Sequence, residues 1–169
     1  MTFIGVICEH FKFDIIKKSV QEKMNKSDIT LININKNSIK NLKNVRFDVI
    51  VIMEKMEDKN DKKIIMQICK NLKYLIVNSD IEITELSNIK TNIITFGLNH
   101  KSTVTFSSIT DDMILVSVQR SFFNTNNKLI EVGEYEMEPK QGTNLYGILV
   151  EFIIKKLCFW KNNVYNSYK

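Results

Sequence analysis

The stretch Asn92-Ile-Ile-Thr-Phe-Gly-Leu-Asn-His-Lys-Ser-Thr-Val-Thr-Phe-Ser-Ser-Ile109 decides how the rest of the chain is read. Ile93 to Phe96 reads as a buried strand. Gly97 breaks it, a short polar loop follows, and from Thr103 apolar and hydroxyl residues alternate as on a half-buried strand. Upstream of this stretch the sequence alternates strand and helix signals. Downstream it changes to strands without helices between them, and then to one closing helix.

Upstream, Thr2 to Cys8 is a compact apolar run with Gly5 inside it, which predicts a buried parallel strand. Phe13, Ile16, Val20 and Met24 recur at helical spacing and predict an amphipathic helix from about Lys12 to Met24, stopped by Ser27-Asp28. Ile29 to Ile34 predicts a second strand, and a short helix is expected around Ile39 and Leu42. Phe47 to Met53 is the strongest strand signal and belongs at the centre of a sheet. A charged loop from Glu54 to Lys63 leads to a helix with Ile64, Ile65, Ile68, Cys69 and Leu72 on one face. Tyr74 to Val77 is the next strand, and Asp80 is placed to cap a helix from Ile81 to Ile89. Such alternation predicts α/β structure, a mainly parallel sheet with right-handed crossovers and flanking helices.

Downstream, Thr103 to Ile109, Met113 to Phe122 and Lys128 to Met137 predict a three-stranded antiparallel meander, with turn chemistry at Asp111-Asp112 and from Asn124 to Asn127. Leu145, Leu149, Phe152, Ile153 and Leu157 mark a closing helix from about Thr143 to Phe159. There is no internal repeat and no linker. The chain is read as one domain over 1–169: a parallel part over 1–98, antiparallel strands plus helix over 99–160, and a polar tail over 161–169.

With 44% hydrophobic and 25% charged residues, the chain has the composition of a folded domain, which argues against disorder. The formal charge is +5. The lysines are scattered among asparagine and isoleucine, so the basic balance reads first as a solvated surface. Cys8, Cys69 and Cys158 are far apart and without metal-ligand spacing, which predicts reduced, buried thiols in a cytoplasmic protein. No apolar run reaches membrane-spanning length.

Three motifs together carry a resemblance. Leu75-Ile-Val-Asn-Ser-Asp80 is a strand ending in an Asn-x-Asp turn, Ile94-Thr-Phe-Gly97 is a strand ending in Thr-Phe-Gly, and Gly142-Thr-Asn-Leu-Tyr146 opens a helix. In this order they resemble the central, ATP-binding domain of the Mur ligase family, which includes the folylpolyglutamate synthases. The good match covers about Tyr74 to Ile109; elsewhere only the order of elements matches. The resemblance implies a bacterial cytoplasmic protein. It also implies a nucleotide site in which Asn78 and Asp80 contact adenine and ribose and Lys12 contacts phosphate.

The family makes an acyl phosphate from ATP and lets an amine attack it, which requires a glycine-rich phosphate loop ending in Lys-Thr. The corresponding segment here runs Gly5-Val-Ile-Cys-Glu-His-Phe-Lys-Phe-Asp14. Cys8 and Phe11 replace glycines, Phe13 replaces the metal-binding hydroxyl, and Glu9 puts negative charge where phosphate would sit. The family's Asp-His-Leu-Asp segment falls near Glu54 to Asp61, where there is no histidine. Its substrate-binding flanking domains are absent from this sequence. No catalytic residue and no metal site are therefore expected, nor a cofactor beyond residual ATP or ADP.

Each candidate has a plainer reading. Lys12 also fits a solvated lysine of a first helical turn. Asn78 and Asp80 also fit a strand-end turn and helix cap. His10 beside Glu9 lacks the third group of a triad, and His100-Lys101 also fits a solvated loop. Phe159, Trp160 and Tyr165 are a candidate aromatic patch for a partner; in the plainer reading Phe159 closes the core. The leading expectation is a non-catalytic relative of the Mur central domain acting as a binding or interaction module with a protein partner. One alternative keeps a weakened nucleotide site on Lys12, Asn78 and Asp80. A second, a basic nucleic-acid binder, rests on charge alone.

Overall fold

The computed structural model describes residues 1–22, 29–35, 37–81, 89–139 and 144–158. Five parallel strands form its first half: β1 (Thr2–Ile7), β2 (Ile29–Ile34), β3 (Val49–Ile52), β4 (Tyr74–Asn78) and β5 (Asn92–Phe96). Their order across the sheet is β5-β4-β3-β1-β2. This is the mainly parallel α/β architecture expected from the alternating signals, with the strong Val-Ile-Val-Ile run at its centre. All four residues of β3 have zero exposure, because neighbours on both faces cover them. A strand buried on both faces has no polar side, which is why its sequence shows no alternation.

Strand residues one position apart feed two separate cores. Ile4, Val6, Val49, Val51, Tyr74 and Ile76 pack with α1 (His10–Glu22). Ile7, Ile50, Ile52, Leu75 and Val77 pack with a 3-10 helix (Ile39–Asn44) and α2 (Lys59–Cys69). The winding direction explains the split. From β1 the chain moves outward to β2, then back past β1 to β3 and on to β4. Right-handed crossovers in opposite directions put their helices on opposite faces. Gly5 sits in mid-strand because a Cβ there would meet Ile34 Cδ1 at 2.5 Å and the Phe47 ring at 3.1 Å. Helix α2 begins before the position expected for it. The Asp58 side chain accepts the Asn60 N–H (2.7 Å) and the Asp61 N–H (3.0 Å), an N-cap inside what reads as a charged loop.

The second half is antiparallel, but it is more than a meander. β6 (Val104–Ile109) pairs with β7 (Ile114–Val118), and β7 pairs with β10 (Gly133–Met137). Between β7 and β10 the chain makes a separate hairpin of β8 (Phe122–Phe123) and β9 (Leu129–Ile130). The expected strands Met113–Phe122 and Lys128–Met137 are therefore each divided. The cause is local. Asn124 Oδ1 accepts the N–H groups of Asn126 and Lys128, both at 2.9 Å, and Asn127 takes a positive φ of 57°. That turn is pinned to the last helix, α3 (Leu145–Cys158), by Thr125, whose N–H and Oγ1 both donate to the Leu157 carbonyl. α3 opens with Asn144 accepting the Gly147 N–H at 2.6 Å and packs in the same core as α1.

Within the sheet the halves join through one residue pair. Phe96, the last residue of β5, pairs with Val104, the first of β6. β6 runs in the same direction as β5 but starts where β5 stops. No crossover helix is needed, and the antiparallel strands project past the carboxyl ends of the parallel ones by about 17 Å. They stand as a wall beside that edge. The helix expected over 81–89, the stop at Ser27-Asp28, Gly142-Thr143, the aromatic residues from Phe159 onward and the tail over 161–169 lie wholly or largely outside the described residues. No helix among the described residues is long and apolar enough to cross a membrane.

Candidate functional site

In a doubly wound sheet of order 2-1-3-4-5, the crevice lies at the carboxyl ends of the strands where the winding direction reverses, between β1 and β3. Here β1 passes into α1 through Cys8 and Glu9 alone. The ten-residue segment aligned with a phosphate loop is thus three residues of strand and five of helix, and only the two between them form a turn. Lys12 stands in the first turn of α1 at the crevice. Its ammonium lies 2.6 Å from Glu54 Oε1, at the end of β3, and 3.1 Å from Glu9 Oε2. The hydrogen bond to Glu54 is the largest influence on Lys12 and outweighs partial burial, so its pKa is raised. The Lys12 charge is thus already met by two carboxylates, which a phosphate would have to displace.

Beneath this cluster lies Cys8. Burial first, and the Glu54 charge second, push its thiol up to about 12, so it stays protonated and unreactive at neutral pH. Burial does the same to Cys69 and Cys158, and all three thiols are free. His10 pairs with Asp14 at 3.6 Å on the exposed face of α1, not with Glu9. Among the described residues no cluster of His, Cys, Asp or Glu is placed to hold a metal ion.

A second polar cluster lies at the ends of β4 and β5. Asn78 is buried; its amide donates to the Met53 carbonyl at 3.2 Å, and its Oδ1 accepts the Asp80 N–H at 3.0 Å. Asp80 reaches across to the loop after β5. Its carboxylate accepts the Leu98 N–H at 2.6 Å, the Asn99 side-chain amide, and the Tyr146 hydroxyl at 3.2 Å. Burial pushes the Asp80 pKa up, but these donors together hold it below the ordinary carboxylate value. Between the two strand ends, the Ser79 hydroxyl donates to the Phe96 carbonyl (3.2 Å) and accepts from Asn99 (3.1 Å), with Ser102 Oγ at 2.7 Å.

Gly97 is fixed by this crowding. A Cβ on it would lie 2.7 Å from Ser79 Oγ and 2.8 Å from Asp80 Oδ2. The loop is closed at its base by Thr95 and Thr103. Thr103 N–H donates to Thr95 Oγ1 at 2.8 Å, and Thr95 N–H to Thr103 Oγ1 at 3.3 Å. His100 and Lys101, at the loop's tip, are exposed.

The structure brings Asn78 and Asp80 together and leaves Lys12 apart from both, with β3 between. Sequence reasoning missed four participants: Glu54, Asn99, Thr103 and Tyr146. Glu54 had a signal, since it directly follows the strongest strand and must emerge at the carboxyl edge. Tyr146 closes a motif that the resemblance uses, but nothing local signals its bond to Asp80, 66 residues away. No protein-family model and no curated protein matches the chain.

Proposed function

We propose that this chain is a non-catalytic, Mur-ligase-like domain of a bacterial cytoplasm, acting as a binding or interaction module. One observation carries the reading. Every side chain that the resemblance assigns to nucleotide is engaged within the chain, Lys12 by Glu9 and Glu54, Asn78 by Met53, and Asp80 by Leu98, Asn99 and Tyr146. The placement of Asn78-Ser79-Asp80 beside Gly97, at adjoining strand ends, supports the family likeness. The two-residue turn after β1 supports the absence of ligase chemistry, because backbone N–H groups cannot wrap a phosphate there.

The alternative, a weakened ATP or ADP site, is favoured by one fact: Lys12 lies at the crevice where such sheets take ligands. A thermal-unfolding scan with and without millimolar ATP or ADP and Mg²⁺ separates the two. A site saturated 100-fold adds about 2.7 kcal/mol, a shift of about 5–10 °C at this size. The module reading expects no shift. A shift that disappears in Lys12→Ala would overturn it in favour of the nucleotide site.

A further inference from the structure

Helix α2 buries one side and leaves the other to solvent. Ile65 and Cys69 are fully buried beneath it. Its outer side forms an open cleft of about 490 Å³ lined by Lys59, Lys62, Lys63, Met66, Gln67 and Lys70. Among the described residues that line it, four are lysines and none is acidic. Lys62 has a partner within the chain, which leaves Lys59, Lys63 and Lys70 to face a ligand. The one carboxylate inside the helix, Asp61, is buried, and Glu57 and Asp58 precede the helix, where with Lys40 they line a different cavity. A chain whose lysines look scattered in sequence thus gathers four of them on one face. Helical spacing does this, since positions 59, 62, 63, 66, 67 and 70 recur every three or four residues.

We infer that the outer face of α2 is a docking surface for the sugar–phosphate backbone of a nucleic acid. The lysines lie in a line about 16 Å long on a straight helix, rather than converging on a point. A row of that kind suits a linear polyanion better than a compact one. Phosphates along one strand rise about 3.4 Å each along a duplex axis and lie about twice as far apart through space, so the row meets two or three of them. Gln67, exposed in the middle of the row, offers an amide contact to sugar or base, while Met66 is half-buried against the core. A lipid surface fits less well. An interfacial helix lowers its apolar side into the bilayer, and here that side is committed to the core. The surface is on the opposite face of the sheet from α1, which carries Lys12, so the outcome of the nucleotide scan does not bear on it.

The test is fluorescence anisotropy of the whole chain with a labelled 12-nucleotide single strand and the matching duplex, from 50 to 200 mM salt. Three lysine contacts predict affinity that falls about 20-fold over that range for the single strand. The variant Lys63→Glu/Lys70→Glu should weaken binding at least tenfold and flatten the salt dependence. Lys101→Glu/Lys128→Glu changes the net charge equally, at exposed positions elsewhere, and should weaken binding less than threefold. If the reversal misfolds by thermal scan, Lys63→Gln/Lys70→Gln replaces it, with a smaller loss expected. Absence of binding at 50 mM salt would overturn the inference. So would equal losses in the two charge-reversal variants, equally tight binding of polyglutamate, or binding to phosphatidylserine vesicles without binding to the oligonucleotides.

Discussion

At the ends of β1 and β3 the sheet edge is closed by long charged side chains, Lys12, Glu9 and Glu54. At the ends of β4 and β5 it is closed by short ones, Asn78, Ser79, Asp80 and Asn99, working with backbone N–H and carbonyl groups. The two clusters face the same solvent on the same edge, yet they differ in what it takes to open them. A rotamer change frees Lys12, and partly solvated ion pairs of this kind contribute about 1 kcal/mol or less each. Freeing Asp80 means releasing a loop that is also clasped by Thr95 and Thr103 and fitted around Gly97. The first cluster is an occupant of the crevice; the second is part of the frame that joins the parallel half to the antiparallel wall.

The sharpest way to break that distinction is Gly97→Ala. The added methyl would lie under 3 Å from Ser79 Oγ and from the Asp80 carboxylate, and neither can retreat without losing its partners. Overpacking of this kind predicts a loss of about 2–3 kcal/mol, a fall in Tm of about 5–10 °C by thermal denaturation. A loss below about 0.5 kcal/mol would show that the loop yields freely, and the frame reading would fail.

Asp80→Asn should have a smaller effect and a pH signature. The amide keeps an acceptor for the Leu98 N–H but sets a donor against the Asn99 amide or the Tyr146 hydroxyl. Charge-assisted bonds contribute about 1.5–3 kcal/mol when buried; Asp80 is partly exposed, so about 1–2 kcal/mol is expected. Its pKa is depressed in the folded state. The stability it contributes is present above the unfolded value, about 3.9, and is lost as pH falls through the lower folded value. The variant should therefore lose less stability than the wild type on acidification from pH 5 to pH 2. It should not lose none, because Asp48 is depressed as well: desolvation raises it, but the bonds from Lys73 and the Phe3 N–H prevail. Parallel acid limbs in denaturant titrations would count against a role for the Asp80 charge.

These two clusters were not equally legible in the sequence. The β4–β5 frame announced itself, since a strand ending in Asn-Ser-Asp, a strand ending in Thr-Phe-Gly and a polar loop are local patterns with local causes. The central place of Val49–Ile52 also follows from its unbroken apolar run, whereas the strand order and the two cores do not, because the crossover rule fixes handedness and not which neighbour a strand takes. The β8–β9 hairpin stayed hidden because its strands are two residues each, too short for any periodicity, and its turn is held by Asn124 and by α3. Glu54 was read as part of a charged loop, because sequence does not say that Lys12, 42 positions away, sits across the crevice. The same blindness made the α2 lysines look scattered.

Lys12→Met is the mildest perturbation and sharpens the comparison from the other side. The methionine keeps most of the aliphatic stem that lies against the edge and removes the charge. Lys12 and Glu54 are each about one-third exposed in their side chains, and Glu9 more so. Solvent therefore screens what the pairs contribute, and the expected loss is about 0.5 kcal/mol. Part of that loss is the repulsion left between Glu9 and Glu54. The pH dependence runs opposite to that of Asp80. The Lys12 pKa is raised by its bond to Glu54, so its contribution is intact below the unfolded value of about 10.4 and is lost as pH rises through the folded one. The gap between wild type and variant should then stay constant from pH 7 to about pH 10 and begin to narrow above it, as followed by denaturant unfolding up to about pH 11. A loss of 2 kcal/mol or more at pH 7 would exceed what a screened pair can supply. It would make the Lys12 cluster a structural frame like its neighbour, and the crevice would then have no occupant that a ligand could displace.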